Sequence, residues 1–430
     1  MQAWGRPPVW RTLKGGTAIP LARFVLGWSL FFAACAYGAE APKAGGFLLK
    51  EGDLLAFCGD SITAGGLYPR YVEAYLRACA PVPGLRIMNV GRSGEQARHF
   101  PPLMDGLLAA KPTVATICYG MNSSRSAKVL GEGSAQTEAS ALRAIVEKLK
   151  AAGCTRIVVA SPGCVDSTHF ALAQSKPADP AAAEATNKNL ALMGTAAEMV
   201  AREHQLIYCD IHHPMMDAMA KAKAKHGTAF AFAGGPGDGV HPGGAGHLVM
   251  AWALLKALGC DGAIGTIALD LKTGKAEAGA GHAVLSAAAG QIDLESTRYP
   301  FCFLGKPEDA KSPRSVSDLI AFNAELNRLI LKVSGAAGKR FTVTWGAATA
   351  EFDGAALEQG VNLAEAFPEN PFCAPFGKLL FSMEERATCE RALRMDHKGS
   401  AAMQARLDKA LAGLVPAPVK HTIKVAEAGK

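Results

Sequence analysis

Ser61, Asp238 and His241 are the residue types with which a protein transfers an acyl group. A serine hydroxyl is a poor nucleophile until a base takes its proton, and an imidazole is a common base. His241 is the candidate base, and Asp238, three residues earlier, is spaced to hydrogen-bond its other ring nitrogen. The tetrahedral oxyanion formed on attack needs donors aimed at it, and losing one typically costs about 3–4 kcal/mol of barrier. Three candidate donors are the backbone N–H groups of Ser61 and Gly94 and the side-chain amide of Asn122.

Taken singly, each residue has a plainer explanation. Ser61 suits a helix cap, Gly94 and Asn122 suit turns, and Asp238 and His241 lie in a Gly/Pro-rich connection. Position links them. The pattern predicts strands at Leu54–Cys58, Arg86–Val90, Val114–Tyr119, Arg156–Ala160 and Leu206–Cys209. Between them the spacing predicts helices at Tyr71–Cys79, Phe100–Ala110, Glu138–Ala151, Ala181–His204 and Met215–His226, with Gly246–Leu258 closing the unit. Strands alternating with helices argue for a five-stranded parallel sheet covered on both faces. Gly59-Asp60-Ser61, Gly91-Arg92-Ser93-Gly94 and Gly120-Met121-Asn122 each follow a strand, at the carboxyl edge where such sheets bind ligands. Asp238-Gly239-Val240-His241 stands just before the closing helix.

These four blocks together resemble the SGNH, or GDSL, hydrolases over about residues 48–260. The resemblance implies a flavodoxin-like three-layer α/β/α fold and ester hydrolysis without a metal or cofactor. It implies a nucleophile at Ser61, an Asp238–His241 pair, and an oxyanion hole of Ser61, Gly94 and Asn122, with Gly91 as the alternative glycine. The third block in that family usually reads Gly-x-Asn-Asp, and Ser123 replaces its last acid here. Shifted loop packing rather than lost chemistry is expected from that change.

Residues 261–430 have another character and read as a smaller α+β accessory region. Strands are expected at Ile264–Leu271 and Phe341–Trp345, a C-terminal helix over Glu384–Ala412, and a poorly ordered tail from Val415. Leu326–Val333 and Gly360–Ala364 resemble the C-terminal part of exported SGNH proteins of environmental bacteria.

Residues 1–39 read as an export signal: Arg6, Arg11, Lys14 and Arg23 precede the apolar run Phe24–Ala34, and small residues follow. The alternatives are an uncleaved anchor or lipidation at Cys35. Residues 40–47 read as a linker, and a secreted or periplasmic location is expected. Without the leader, 41 basic side chains face 38 acidic ones, which gives no basis for nucleic-acid binding. Of the 11 cysteines, ten follow Cys35, an even number that permits disulfides, although Cys58 and Cys118 lie in strand-like runs that suit buried thiols. Asp210, His212 and His213 cluster after the fifth strand, but adjacent histidines on extended chain face opposite ways, which disfavours a metal.

The expectation is an exported serine esterase acting on a small or polymeric ester, with O-acetyl groups on carbohydrate as the substrate suggested by family analogy. An acyltransferase would use the same residues. A carbohydrate-binding or surface-interaction protein built on a degenerate hydrolase domain is the alternative from another class.

Overall fold

The computed structural model describes residues 46–173, 176–395 and 401–429. The leader expected over 1–39, with Cys35, lies outside them. Strand β1, Leu54–Gly59, is buried along its whole length. With β2 (Arg86–Asn89), β3 (Val114–Cys118), β4 (Arg156–Ala160) and β5 (Ile207–Cys209) it forms the expected parallel sheet, in the order β2-β1-β3-β4-β5.

A strand covered on both faces reads as a continuous apolar run, and β1 shows why. Leu55 and Phe57 enter one core while Ala56 and Cys58 enter the other. Helices Glu132–Ala151 and Pro180–Glu203 contribute to the second core; Leu67–Ala74, His212–His226 and Gly244–Ala257 pack into the first. The strand order reverses between β1 and β3, the switch point at which sheets of this order open a crevice.

One helix is not formed as expected. Phe100–Ala110 holds a short 3-10 turn, Pro101–Leu103, and a brief helix, Asp105–Ala109, and another 3-10 turn, Ala97–His99, precedes it. Pro101 and Pro102 lack the N–H groups that a continuous helix through this stretch would use.

Beyond Cys260 nine further strands occur among the described residues. Strands β6 (Ala263–Asp270), β7 (Ala276–Ala278), β10 (Arg328–Ser334) and β13 (Val361–Asn362) make a mixed sheet, β13-β10-β6-β7. Strands β8 (His282–Ala288), β9 (Gln291–Ser296), β11 (Arg340–Trp345), β12 (Ala348–Asp353) and β14 (Val419–Glu427) make an antiparallel one, β12-β11-β14-β9-β8. The tail expected to be poorly ordered from Val415 is thus the central strand of a sheet. Its alternation explains this: His421, Ile423 and Val425 are buried, and Lys420 and Lys424 are exposed. The single helix expected over Glu384–Ala412 is two, Cys373–Met395 and Ala401–Ala412.

A buried polar chain crosses the antiparallel sheet. Trp345 Nε1 donates to His421 Nδ1 at 3.0 Å, leaving the His421 proton on Nε2, which donates to Ser296 Oγ at 2.9 Å. The Ser296 hydroxyl then donates to His282 Nδ1 at 2.8 Å, and His282 Nε2 donates to the Ile264 carbonyl at 3.2 Å. Every group is satisfied only while both rings are neutral. Burial pushes His421 down to about 4 and lowers His282. The unfolded chain therefore takes up protons from about pH 6.5 downward while the folded chain resists them, so stability is full above that pH and is lost as pH falls towards 4. His421 alone is expected to remove about 3 kcal/mol across that window. Urea midpoints measured between about pH 7 and pH 4.5 check this, and a flat profile would contradict the neutral chain.

The C-terminal region is fixed to the helix that follows the nucleophile candidate. The buried Glu73 carboxylate accepts two hydrogen bonds from Arg386, both 2.7 Å, and one from Arg77 Nε at 2.8 Å. Opening such a pair by removing one partner costs about 3–5 kcal/mol, because the other charge stays buried. All ten described cysteines are free thiols, so the disulfides their number permits are not formed among them.

Candidate active site

β1 ends at Gly59, and the chain turns straight into a short helix, Ser61–Gly65. Asp60, not Ser61, is its N-cap: Asp60 Oδ1 accepts the Ile62 N–H at 3.0 Å. The Ser61 hydroxyl is thereby left free of backbone duty and meets His241 Nε2 at 2.8 Å. On the other side of the ring, His241 Nδ1 lies 3.0 Å from Asp238 Oδ1. A carboxylate at Nδ1 fixes the proton there, so the neutral ring presents a bare Nε2 to the serine O–H.

The electrostatics follow from these contacts. The hydrogen bond that His241 donates to Asp238 raises the ring above the ordinary histidine range, partly opposed by burial; the charges of Asp238 and Asp60 add to the rise and Arg125 opposes it. Burial pushes the Asp238 carboxyl up, but the hydrogen bond and charge of His241 outweigh it and hold Asp238 below the usual carboxylate range. Burial also lifts Asp60 to about 6.

The second loop is laced to the first by Asn89. Its amide donates to the Thr63 carbonyl at 2.7 Å, and its Oδ1 accepts the Gly91 N–H at 2.9 Å. A Cβ on Gly91 would lie 2.4 Å from the Ala64 nitrogen, so only glycine lets the loops approach this closely. The Gly91 N–H is therefore committed. Gly94, at φ +74°, holds a left-handed turn that glycine adopts freely, and no partner for its N–H occurs among the described residues.

Asn122 follows β3 in a short helix, Met121–Ser124. Its Nδ2 donates to the Glu95 carbonyl at 2.9 Å, and its own carbonyl accepts Gln96 Nε2 at 3.1 Å. These two bonds set the third loop against the residue that follows Gly94. One amide hydrogen of Asn122 is left over for a ligand. Asn122→Ala is expected to lower kcat about 10²–10³-fold with KM little changed, read from steady-state kinetics on a short acyl ester.

Asn89, Gln96 and the capping role of Asp60 were not singled out from sequence, although an Asn two residues before a glycine is a turn signal. Ser123, where an acid was expected by family pattern, donates to Glu138 Oε2 at 2.8 Å. A buried carboxylate thus reaches the same place from the Glu132–Ala151 helix. The Glu95 side chain is 9% exposed and pairs with Arg92 at 3.2 Å. Among the other histidines, His212 Nδ1 lies 2.9 Å from the Gly163 carbonyl and His213 Nδ1 lies 2.8 Å from Asp210. No group of three or more His, Cys, Asp or Glu that could hold a metal occurs among the described residues. His247 is buried against Tyr68, with its Nδ1 unpartnered, and burial pushes it down to about 3.

Residues 57–249 match the model of the GDSL-like Lipase/Acylhydrolase family. The matched stretch holds most of the parallel sheet together with Ser61, Gly94, Asn122, Asp238 and His241. The fold is similar to that of a gut microbial diltiazem-metabolizing enzyme, at TM-score 0.67 and 20% identity, over 87% of this chain and 98% of that one. An acetylxylan esterase from Geobacillus stearothermophilus is also similar, at TM-score 0.38 and 23% identity, over 50% of this chain and 97% of that one. No curated protein matches the sequence.

Proposed function

We propose that the chain is an exported serine esterase that hydrolyses carboxylic esters, with O-acetyl groups on carbohydrate as its substrate. The observation that carries this reading is the hydrogen-bonded series Ser61–His241–Asp238 at the carboxyl edge of the sheet. Ser61 Oγ attacks the ester carbonyl carbon while His241 Nε2 takes its proton. The carbonyl oxygen becomes an oxyanion, held by the N–H groups of Ser61 and Gly94 and the amide of Asn122. As the C–O bond of the alcohol breaks, His241 returns the proton to the leaving oxygen. Water, deprotonated by His241, then attacks the acyl-enzyme and releases the acid. Asp238 holds the imidazole in register and stabilises its charged form.

Support for ester hydrolysis comes from the matched family, and the acetylated sugar is carried over by family analogy. The basic, apolar and small-residue order of residues 1–39 supports export. The test is turnover of a short acetyl ester together with labelling by a fluorophosphonate probe. Both are expected of the mature chain, and both are expected to vanish in Ser61→Ala with the melting temperature unchanged. Turnover that survives Ser61→Ala would remove the nucleophile. A chain that binds glycan, never labels and never turns over would be the binding protein instead.

A further inference from the structure

Ser61 and His241 open onto a cleft of about 1110 Å³ whose far wall comes from the C-terminal region. Glu384, Ala387, Thr388 and Arg391 of the Cys373–Met395 helix line it, facing Arg70 and Ile87 of the sheet domain. The space is far larger than an acetyl group needs and exceeds the roughly 300–1,000 Å³ of ordinary small-molecule pockets. The wall is held in place, because the same helix carries Arg386, whose two bonds to the buried Glu73 join it to the Leu67–Ala74 helix. Arg70 and Glu384 meet across the cleft at 3.5 Å, and Arg391 has no ion-pair partner among the described residues.

We infer that this wall is the subsite for the alcohol part of the ester, and that Ala387, Thr388 and Arg391 set which alcohols the enzyme accepts. The inference rests on the esterase reading above. In that reaction His241 Nε2 must hand its proton to the leaving oxygen, so the alcohol lies on the His241 side of Ser61. His241 lines this cleft, so an alcohol too large for the reacting centre extends along it towards the helix. The Thr388 hydroxyl, the Arg391 guanidinium and the carboxylates of Glu384 and Glu390, which also line the cleft, suit an alcohol with many hydroxyls, such as a sugar unit, rather than an alkyl chain. The C-terminal region is on this account a part of the enzyme's specificity and not a separate binding module.

The experiment compares kcat/KM for acetylated cellobiose with that for 4-nitrophenyl acetate, in the parent and in Ala387→Trp, Thr388→Val and Arg391→Ala. The ratio of sugar ester to nitrophenyl ester is expected to fall at least about tenfold in Ala387→Trp, which fills the cleft, through a rise in KM. It falls by about three- to tenfold in each of the other two, which each remove hydrogen-bonding groups. Thr388→Val keeps the shape of the side chain and serves where the tryptophan disturbs folding. Equal ratios in the parent and in every folded variant would overturn the inference and leave the esterase reading standing. A parent that cleaves a long-chain alkyl acetate faster than the sugar ester would also overturn it. Turnover of no ester at all would overturn the esterase reading, and this inference with it.

Discussion

His241→Ala is expected to lower kcat on a short acetyl ester by about a millionfold, with the melting temperature held. The ring is half exposed, so its loss empties no core; what disappears is the acceptor for the Ser61 proton 2.8 Å away. Asp238→Asn is expected to cost about 10⁴-fold for a different reason. The carboxylate accepts the Nδ1 proton at 3.0 Å, whereas an amide turned to donate there would move that proton to Nε2, where it blocks the serine. The pH profile carries the same signature. On the proposed mechanism His241 acts only when neutral, and its folded value is raised, so kcat/KM is expected to climb with pH along a limb centred above 6.5. In Asp238→Asn the limb shifts down, since the first cause of the rise is gone. Stopped assays across the pH range separate these outcomes from simple unfolding, and a limb below 6.5 in the parent would contradict the Asp238 contact.

Deleting the chain from Val419 onward is expected to abolish cooperative unfolding and leave insoluble protein. β14 pairs with β11 on one side and with β9 on the other. Without it the antiparallel sheet falls into two hairpins, each with a bare inner edge. His421, Ile423 and Val425 leave the core, at about 1.5–3 kcal/mol for each of the two aliphatic side chains. Trp345 Nε1 and Ser296 Oγ lose their shared partner as well. The sum is comparable with the roughly 5–15 kcal/mol by which whole proteins hold together. Circular dichroism melts and the soluble yield read the result. A soluble, cooperatively melting truncation would show that the sheet domain stands without its neighbour.

The parallel sheet was legible because its strands are buried on both faces, so Leu54–Gly59 and Val114–Cys118 are apolar at nearly every step. The loops that hold Ser61 and Asn122 were legible because each breaks such a run with small and polar residues, and the loop that holds His241 because glycine and proline crowd it just before a helical run. The tie from Asn89 to Thr63 and the hold on Asn122 by Glu95 and Gln96 were not, since they join loops that are distant in sequence. Nor did the order of residues show that Glu138 would face Ser123, or that Arg386 would reach Glu73 across 313 positions. β14 is the instructive miss. Its alternation was in plain view, but Pro416 and Pro418 just before it, and charged Lys420 and Lys424 within it, made the stretch look solvated. Those lysines face outward from a strand whose other side is core.

The placing of β14 also sets an order of events as the protein is made. β8 with β9, and β11 with β12, are near neighbours in the chain and can close as hairpins within microseconds of emerging. The strand that must lie between them pairs Ser296 with residues some 125 positions later, so the two hairpins wait with open inner edges until it is synthesised. Contacts this remote slow folding, and waiting edges invite pairing with other chains. Ribosome pausing after β12 should therefore divert this protein into aggregates more readily than substitutions in the loops of the candidate site.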